Sequence, residues 1–256
     1  MLELVTARAT DIADSDARHG WGCFETLRVE KGRPRWLERH LARLAGGCAF
    51  LGLEPPPPPA SVRAFLGALP LLGPDLTSGF EGTLRLIAVD GCLLVRLDGR
   101  PAPPAEPLRA CLSTRVTRCS ASPLNRFKTL SYLENRLLQV EAGERRAFEA
   151  LALNESGRLT DGGRTTLVLR KGGRWLTPPA EDGALPGIAR GLLLEAGLAE
   201  EARLRPEDLP KAEGALLVNA LRGLMVLSDV AGWSRWTGTP AGLGGLQRVL
   251  NGPPRA

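Results

Sequence analysis

NRFKTLSYLENRLL, residues 125–138 of a 256-residue chain, sets a lysine at the head of an amphipathic segment. The loop Ser120–Asn125 precedes it. The spacing of Leu130, Leu133, Leu137 and Val140 predicts a helix over Thr129–Ala142 with those side chains inward. Lys128 stands out because lysine is scarce. Of 33 basic residues only Lys31, Lys128, Lys171 and Lys211 are lysines. Lys31 and Lys171 fall in glycine-containing turns and Lys211 follows a proline, so these three read as solvated. Where arginine serves for surface charge, a retained lysine points to a task that a permanently protonated guanidinium cannot do, such as amine attack on an aldehyde. A lysine taken alone is usually a solvated surface charge; it is the composition that moves the reading.

Outward from this stretch the chain alternates between strand and helix signals. Phe24–Val29 predicts a strand running into a turn at Lys31–Pro34. Trp36–Phe50 predicts a helix with Leu37, Leu41, Leu44 and Cys48 on one face. The proline run Pro55–Pro59 stops that helix and imposes an extended loop, and Val62–Leu69 predicts a second helix. Gly82–Val89 and Cys92–Leu97 read as strands around an Asp90-Gly91 turn. Pro101–Pro107 reads as the connection between two lobes, residues 1–107 and 108–256, with Lys128 in the second. Strands follow at Arg109–Thr117, Glu149–Asn154, Leu167–Arg170, Trp175–Thr177, Gly214–Asn219 and Leu224–Val230, with a helix from Pro186-Gly187 to about Ala196. The pattern is mixed α/β, with antiparallel hairpins rather than regular βαβ units.

Composition removes several function classes. Net charge is +5, but the arginines are spread along the chain without a basic block, and one Tyr and six Phe are poor material for stacking bases, which argues against nucleic acid. Five dispersed cysteines without CxxC spacing argue against a disulfide framework or a metal site, and for a reducing, cytoplasmic setting. The N-terminus has no signal-peptide pattern, and no apolar run is long enough for a membrane span.

Three further constellations carry chemistry. In Leu185-Pro186-Gly187-Ile188-Ala189-Arg190, the amides of Ile188 and Ala189 open a helix and suit a phosphate, although the segment alone favours an ordinary turn. In Leu159-Thr160-Asp161-Gly162-Gly163, an acid before two glycines reads as a turn, or as a carboxylate held for a cofactor nitrogen. In WLERHLARL, residues 36–44, Arg39 and Arg43 share a helix flank, either solvated or aimed as a fork at phosphate. His40 lies near the apolar stripe and reads as structural.

Order and wording together say more than any piece. HGWGCFETLRV (19–29), WLERHLARL, FKTLSYLENRLL, EALALNESGRLTDGG (149–163), LTPP (176–179), LPGIARG (185–191) and VNALRGLMV (218–226) occur in this sequence. Together they resemble the fold-type IV enzymes that use pyridoxal 5'-phosphate (PLP). These class IV aminotransferases comprise branched-chain and D-amino-acid aminotransferases and 4-amino-4-deoxychorismate lyases. The resemblance runs from about His19 to Leu227. It implies two α/β lobes with the cofactor between them, usually in a homodimer acting on a small molecule. It also implies that Lys128 carries the PLP, Arg43 and the amides of Ile188 and Ala189 hold its phosphate with Ala220 nearby, and Asp161 faces the pyridine nitrogen. VNALRGLMV and KTLSYLEN are lyase-like, which makes Arg222 and Arg85 candidates for substrate carboxylates. An aminotransferase, or a relative that has lost its cofactor, stays open beside the lyase. The chain departs from the family pattern where Trp21 replaces an aspartate, Asp161 a glutamate, Thr166 an asparagine and Asp90 an arginine, and where Ala189 and Ala220 replace hydroxyl residues.

Overall fold

Strand β1 (Glu3–Val5), β2 (Cys23–Glu30), β3 (Arg33–Pro34), helices α1 (Leu37–Leu51) and α2 (Pro59–Gly67), and strands β4 (Gly82–Val89) and β5 (Cys92–Gly99) open the chain. The computed structural model describes residues 3–5, 19–68, 79–89, 91–104 and 107–252. Contacts divide these residues into two units: those up to 102 together with 127–132, and 103–126 together with the remainder from 133. Asp90, expected in a hairpin turn, and Leu69, the expected end of the second helix, lie outside the described residues.

In the first unit the sheet order is β1-β5-β4-β2-β3. Strand β2 alternates, with Cys23, Glu25, Leu27 and Val29 buried and the residues between them half-buried, so one face looks inward. It pairs antiparallel with β4 from Cys23↔Ala88 to Val29↔Gly82. Helix α1 buries Leu37, Leu41, Leu44 and Cys48, as their spacing predicts. Those side chains join Leu27, Leu84, Leu86 and Val95 in one apolar cluster, each contributing about 1.5–3 kcal/mol on full burial. Helix α2 begins at Pro59, three residues before the expected start, because proline is accepted at a helix's first position, where no N–H is needed.

Lys128 does not open a helix. Residues 128–130 are extended along β2: the Phe24 N–H donates to Lys128 O at 2.8 Å, the Leu130 N–H donates to Gly22 O at 2.8 Å, and Cys23 bridges Thr129. This pairing uses the backbone groups that a helix would have needed. Helix α3 (Leu133–Glu144) therefore starts four residues later than predicted, and Lys128 groups with the first unit rather than with the second lobe. The inward face of α3 also differs. Asn135, Leu138, Glu141 and Ala142 are buried, while Leu133 is 69% and Leu137 39% exposed. Polar side chains occupy that face because they find partners: Asn135 Nδ2 donates to Gly163 O, and Glu141 accepts from Ser113 Oγ and the Thr114 N–H.

The second unit departs from hairpins at once. Strand β6 (Arg109–Arg118) and β7 (Glu149–Asn154) are parallel and joined through α3, a β-α-β crossover. Strands β8 (Leu159–Gly162), β9 (Thr166–Lys171) and β10 (Arg174–Thr177) then run antiparallel, so Asp161 lies in a strand and not in a turn. Helix α4 (Ile188–Glu195) and strands β11 (Glu200–Glu201), β12 (Gly214–Asn219), β13 (Gly223–Leu227), β14 (Asp229–Val230) and β15 (Ser234–Arg235) complete the unit with helix α5 (Leu243–Asn251). The sequence reading missed α5, whose Leu243, Leu246 and Leu250 are buried against α4 and β12 residues. All five cysteines are free. Among the described residues no helix is long and apolar enough to cross a membrane.

Candidate active site

In the first unit Lys128 lies between two aromatic rings. Its Nζ is 4.3 Å from the Phe24 ring centroid and 4.5 Å from that of Tyr132, whose hydroxyl is 3.2 Å away. The two rings meet edge to face at 5.1 Å. Tyr132 is the chain's single tyrosine. Scarcity marks it in the sequence as it marks Lys128. The glycines of the Gly20-Trp21-Gly22 stretch make room for this segment. A Cβ on Gly20, whose φ is +70°, would stand 2.6 Å from Ser131 N, and one on Gly22 would stand 2.7 Å from Leu130 Cδ1 and 2.8 Å from Ala88 O. Trp21 between them is 44% exposed.

Arg43 is held by a residue the sequence reading passed over. Its Nε and Nη2 donate to Glu25 Oε1 and Oε2 at 2.7 and 2.8 Å, and His40 Nδ1 lies 2.6 Å from Glu25 Oε2. Burial pushes the Glu25 carboxyl up, but the charge and hydrogen bonds of Arg43 and His40 overcome this and bring it to about 2. An ionised carboxylate only accepts, so the proton at this contact sits on His40 Nδ1. Burial lowers the His40 pKa against the pull of Glu25, and His40 Nε2 is buried without a hydrogen-bond partner. His40 is thus buried, as expected, but polar in its role. The signal was present in the strand pattern: alternation puts Glu25 on the apolar face of β2, and a buried acid needs a partner. Arg85 is half-buried on β4, opposite Thr26 and Arg96 in register.

Four of the expected points lie in the second unit, on β8, at the start of α4 and in the β12–β13 turn. Asp161 is buried; its Oδ2 accepts the Leu185 N–H at 3.0 Å, and its Oδ1 lies 3.4 Å from Arg118 Nε without a hydrogen-bond partner. Burial raises its pKa, opposed by Arg118 and the Leu185 N–H. Its register partner Thr166 places Oγ1 3.3 Å from where a Cβ on Gly187 would stand. Gly187 precedes α4 without a side-chain cap, so the amides of Ile188 and Ala189 lie in the helix's first turn. The Ala189 side chain packs in the apolar cluster with Leu193 and Leu216, which leaves only its backbone to face an anion. The β12–β13 turn is tied in by Asn219, whose Nδ2 donates to Arg164 O at 3.1 Å and whose Oδ1 accepts the Leu221 and Arg222 N–H groups. Ala220 sits in that turn. Arg222, in the same turn, lies 5.8 Å from the Phe148 ring centroid, which Arg164 also covers at 4.3 Å. Burial, then Arg164, lowers its pKa.

The sequence profile of amino-transferase class IV matches residues 22–230. The chain belongs to the class IV aminotransferase family, which is PLP-dependent. It is 29% identical over 241 residues to the bifunctional aminodeoxychorismate lyase / D-amino acid transaminase of Mycobacterium tuberculosis, covering 81% of each chain. It is 26% identical to the aminodeoxychorismate lyase of Bacillus subtilis, covering 83% of this chain and 78% of the other. In fold it is similar to the branched-chain amino acid aminotransferase of Escherichia coli, with a TM-score of 0.77 at 20% identity, covering 96% of this chain and 92% of that one. The mixed α/β, fold-type IV architecture implied by the motifs is therefore the one found.

Proposed function

We propose that this chain binds PLP and acts as a 4-amino-4-deoxychorismate lyase, releasing pyruvate and 4-aminobenzoate. The observation that carries the cofactor reading is the buried Asp161 carboxyl, whose Oδ1 faces the Arg118 guanidinium at 3.4 Å and is otherwise left to accept from a protonated ring nitrogen. Such a cation would draw the raised Asp161 carboxyl down into its ionised form. Lys128 would carry the cofactor, with the Tyr132 hydroxyl beside its amine. Arg43, the Ile188 and Ala189 amides and the turn at Ala220 would hold the phosphate, and Arg85 and Arg222 the substrate carboxylates. When bound, PLP supplies an electron sink next to the substrate amine.

The chain's own residues supply the rest. Lys128 Nζ takes the proton from the amine-bearing carbon as the enolpyruvyl C–O bond breaks and the carbocycle becomes aromatic. It then returns a proton to the released enolpyruvate. The lyase wording around Lys128 and in VNALRGLMV, with two lyase-named relatives, supports this reading. The bifunctional name of the first relative supports an aminotransferase activity as the second. The expected setting is a cytoplasmic homodimer serving folate biosynthesis.

The test compares wild type with Lys128→Ala, both supplied with PLP, by visible absorbance and by pyruvate release from 4-amino-4-deoxychorismate. Wild type should show the band of bound cofactor and form pyruvate; Lys128→Ala should do neither. Pyruvate formed at the wild-type rate by Lys128→Ala overturns the assignment. A band with amino transfer from D-alanine to 2-oxoglutarate, and no pyruvate release, selects the aminotransferase. Absence of a band at saturating PLP leaves only the cofactor-free relative.

A further inference from the structure

We propose that Glu25, backed by His40, is a positioning residue for Arg43, so that preference for a phosphorylated over an unphosphorylated cofactor depends on a carboxylate in the β2–α1 core. This rests on the reading that Arg43 meets the PLP phosphate. An arginine on a helix flank has a long, mobile side chain, and a fork recognises a phosphate only where its plane is fixed. Glu25 fixes it. The carboxylate takes the Nε–H and one Nη2–H at 2.7 and 2.8 Å, and both of its oxygens are engaged within a side chain 1% exposed.

His40 holds Glu25 from the other side at 2.6 Å and is itself 1% exposed. The three residues come from β2 and from successive turns of α1, so the clamp is built on regular elements rather than on a loop. A buried ion pair serving only stability would be indifferent to the ligand's phosphate. A positioning role makes the two separable.

The experiment titrates wild type, Glu25→Gln, Arg43→Ala and the double variant with PLP and with pyridoxal, which lacks the phosphate. The readout is the visible band of bound cofactor, with melting of the ligand-free proteins in parallel. Glu25→Gln should weaken PLP about tenfold or more, the size of one charge-assisted hydrogen bond, and leave pyridoxal unchanged. In the Arg43→Ala background it should add nothing to the loss of PLP affinity. Equal loss for both ligands, no loss for PLP, or a Glu25→Gln effect that persists without Arg43 overturns the proposal. If Glu25→Gln does not fold, His40→Gln, which keeps the Glu25–Arg43 contact but removes its support, should show a smaller loss confined to PLP; unchanged PLP affinity there overturns it as well. No band with either ligand in wild type defeats the cofactor reading and this proposal with it. Unaltered PLP affinity in Arg43→Ala overturns the assignment of Arg43 and this proposal with it, and leaves the cofactor reading standing.

Discussion

Glu25 in the first unit and Glu149 in the second are both buried glutamates with saturated carboxylates, yet they are pushed in opposite directions. Glu25 meets an arginine and a histidine, and its carboxyl falls to about 2. Glu149 meets the N–H groups of Gly163, Arg164 and Ala150 and the Thr165 hydroxyl, at 2.8 to 3.2 Å. Burial carries its carboxyl up to about 7 in spite of them and of the Arg164 charge. Neutral dipoles satisfy an oxygen without repaying the cost of a buried charge; a guanidinium hydrogen-bonded to the carboxylate repays it. The two sites also brace different things. Glu25 holds a side chain, whereas Glu149 holds the turn between β8 and β9, beside the Asp161↔Thr166 pair.

The sharpest way to break this contrast is to remove each acid. Glu25→Ala strips a buried charge network of its acceptor and should cost about 3–5 kcal/mol in denaturant unfolding. Near pH 4.5, where the folded Glu149 carboxyl still holds its proton, Glu149→Gln keeps the size and one acceptor oxygen but turns an amide NH2 toward neighbouring donors, and should cost about 1–3 kcal/mol. Equal costs would mean that charge is not what separates the sites.

The pH dependence of stability comes next. The lowered Glu25 carboxyl contributes stability that is present above its ordinary 4.5 and is lost as pH falls toward about 2. The raised Glu149 carboxyl contributes stability that is present below 4.5 and is lost as pH rises toward about 7. Each is of order 3 kcal/mol, so unfolding free energy should climb through the lower window and decline through the upper one. Glu149→Gln should flatten the decline and leave the climb. A decline that survives in Glu149→Gln belongs to another group. The smallest effect is expected for Thr165→Val, which removes one hydroxyl from Glu149 and should cost about 1 kcal/mol while leaving the lower window unchanged.

Local signals in the sequence carried much of this. The α1 stripe, the β2 and β4 strands, the β7 and β12 strands and the start of α4 follow from periodicity and turn residues. The misreadings share a cause. Apolar spacing points Leu133 and Leu137 inward, but Asn135 and Glu141 take that face because Gly163, Ser113 and Thr114 partner them. The two glycines after Asp161 suit a turn as well as a held carboxylate, and cross-strand pairing with Thr166 makes the residue part of β8. The parallel β6–α3–β7 crossover was missed because a parallel strand pair leaves no turn to read.

The site divides in the same way. Composition alone marked Lys128, and the motif order alone marked the family together with Arg43, Asp161 and the α4 amides. Neither could supply the partners. Arg43 finds Glu25 18 positions away, Asp161 finds the Leu185 amide 24 positions away, and the backbone of Lys128 is pinned by Phe24 across more than half of the first 128 residues. The sequence by itself determined which chemistry-bearing groups the chain possesses and which local elements carry them, because periodicity, turns and scarcity are short-range or compositional properties. Only the tertiary structure decided which buried oxygen or guanidinium each of them meets, because a buried polar group is satisfied by whatever packing brings to it, and packing joins residues that are far apart in the chain.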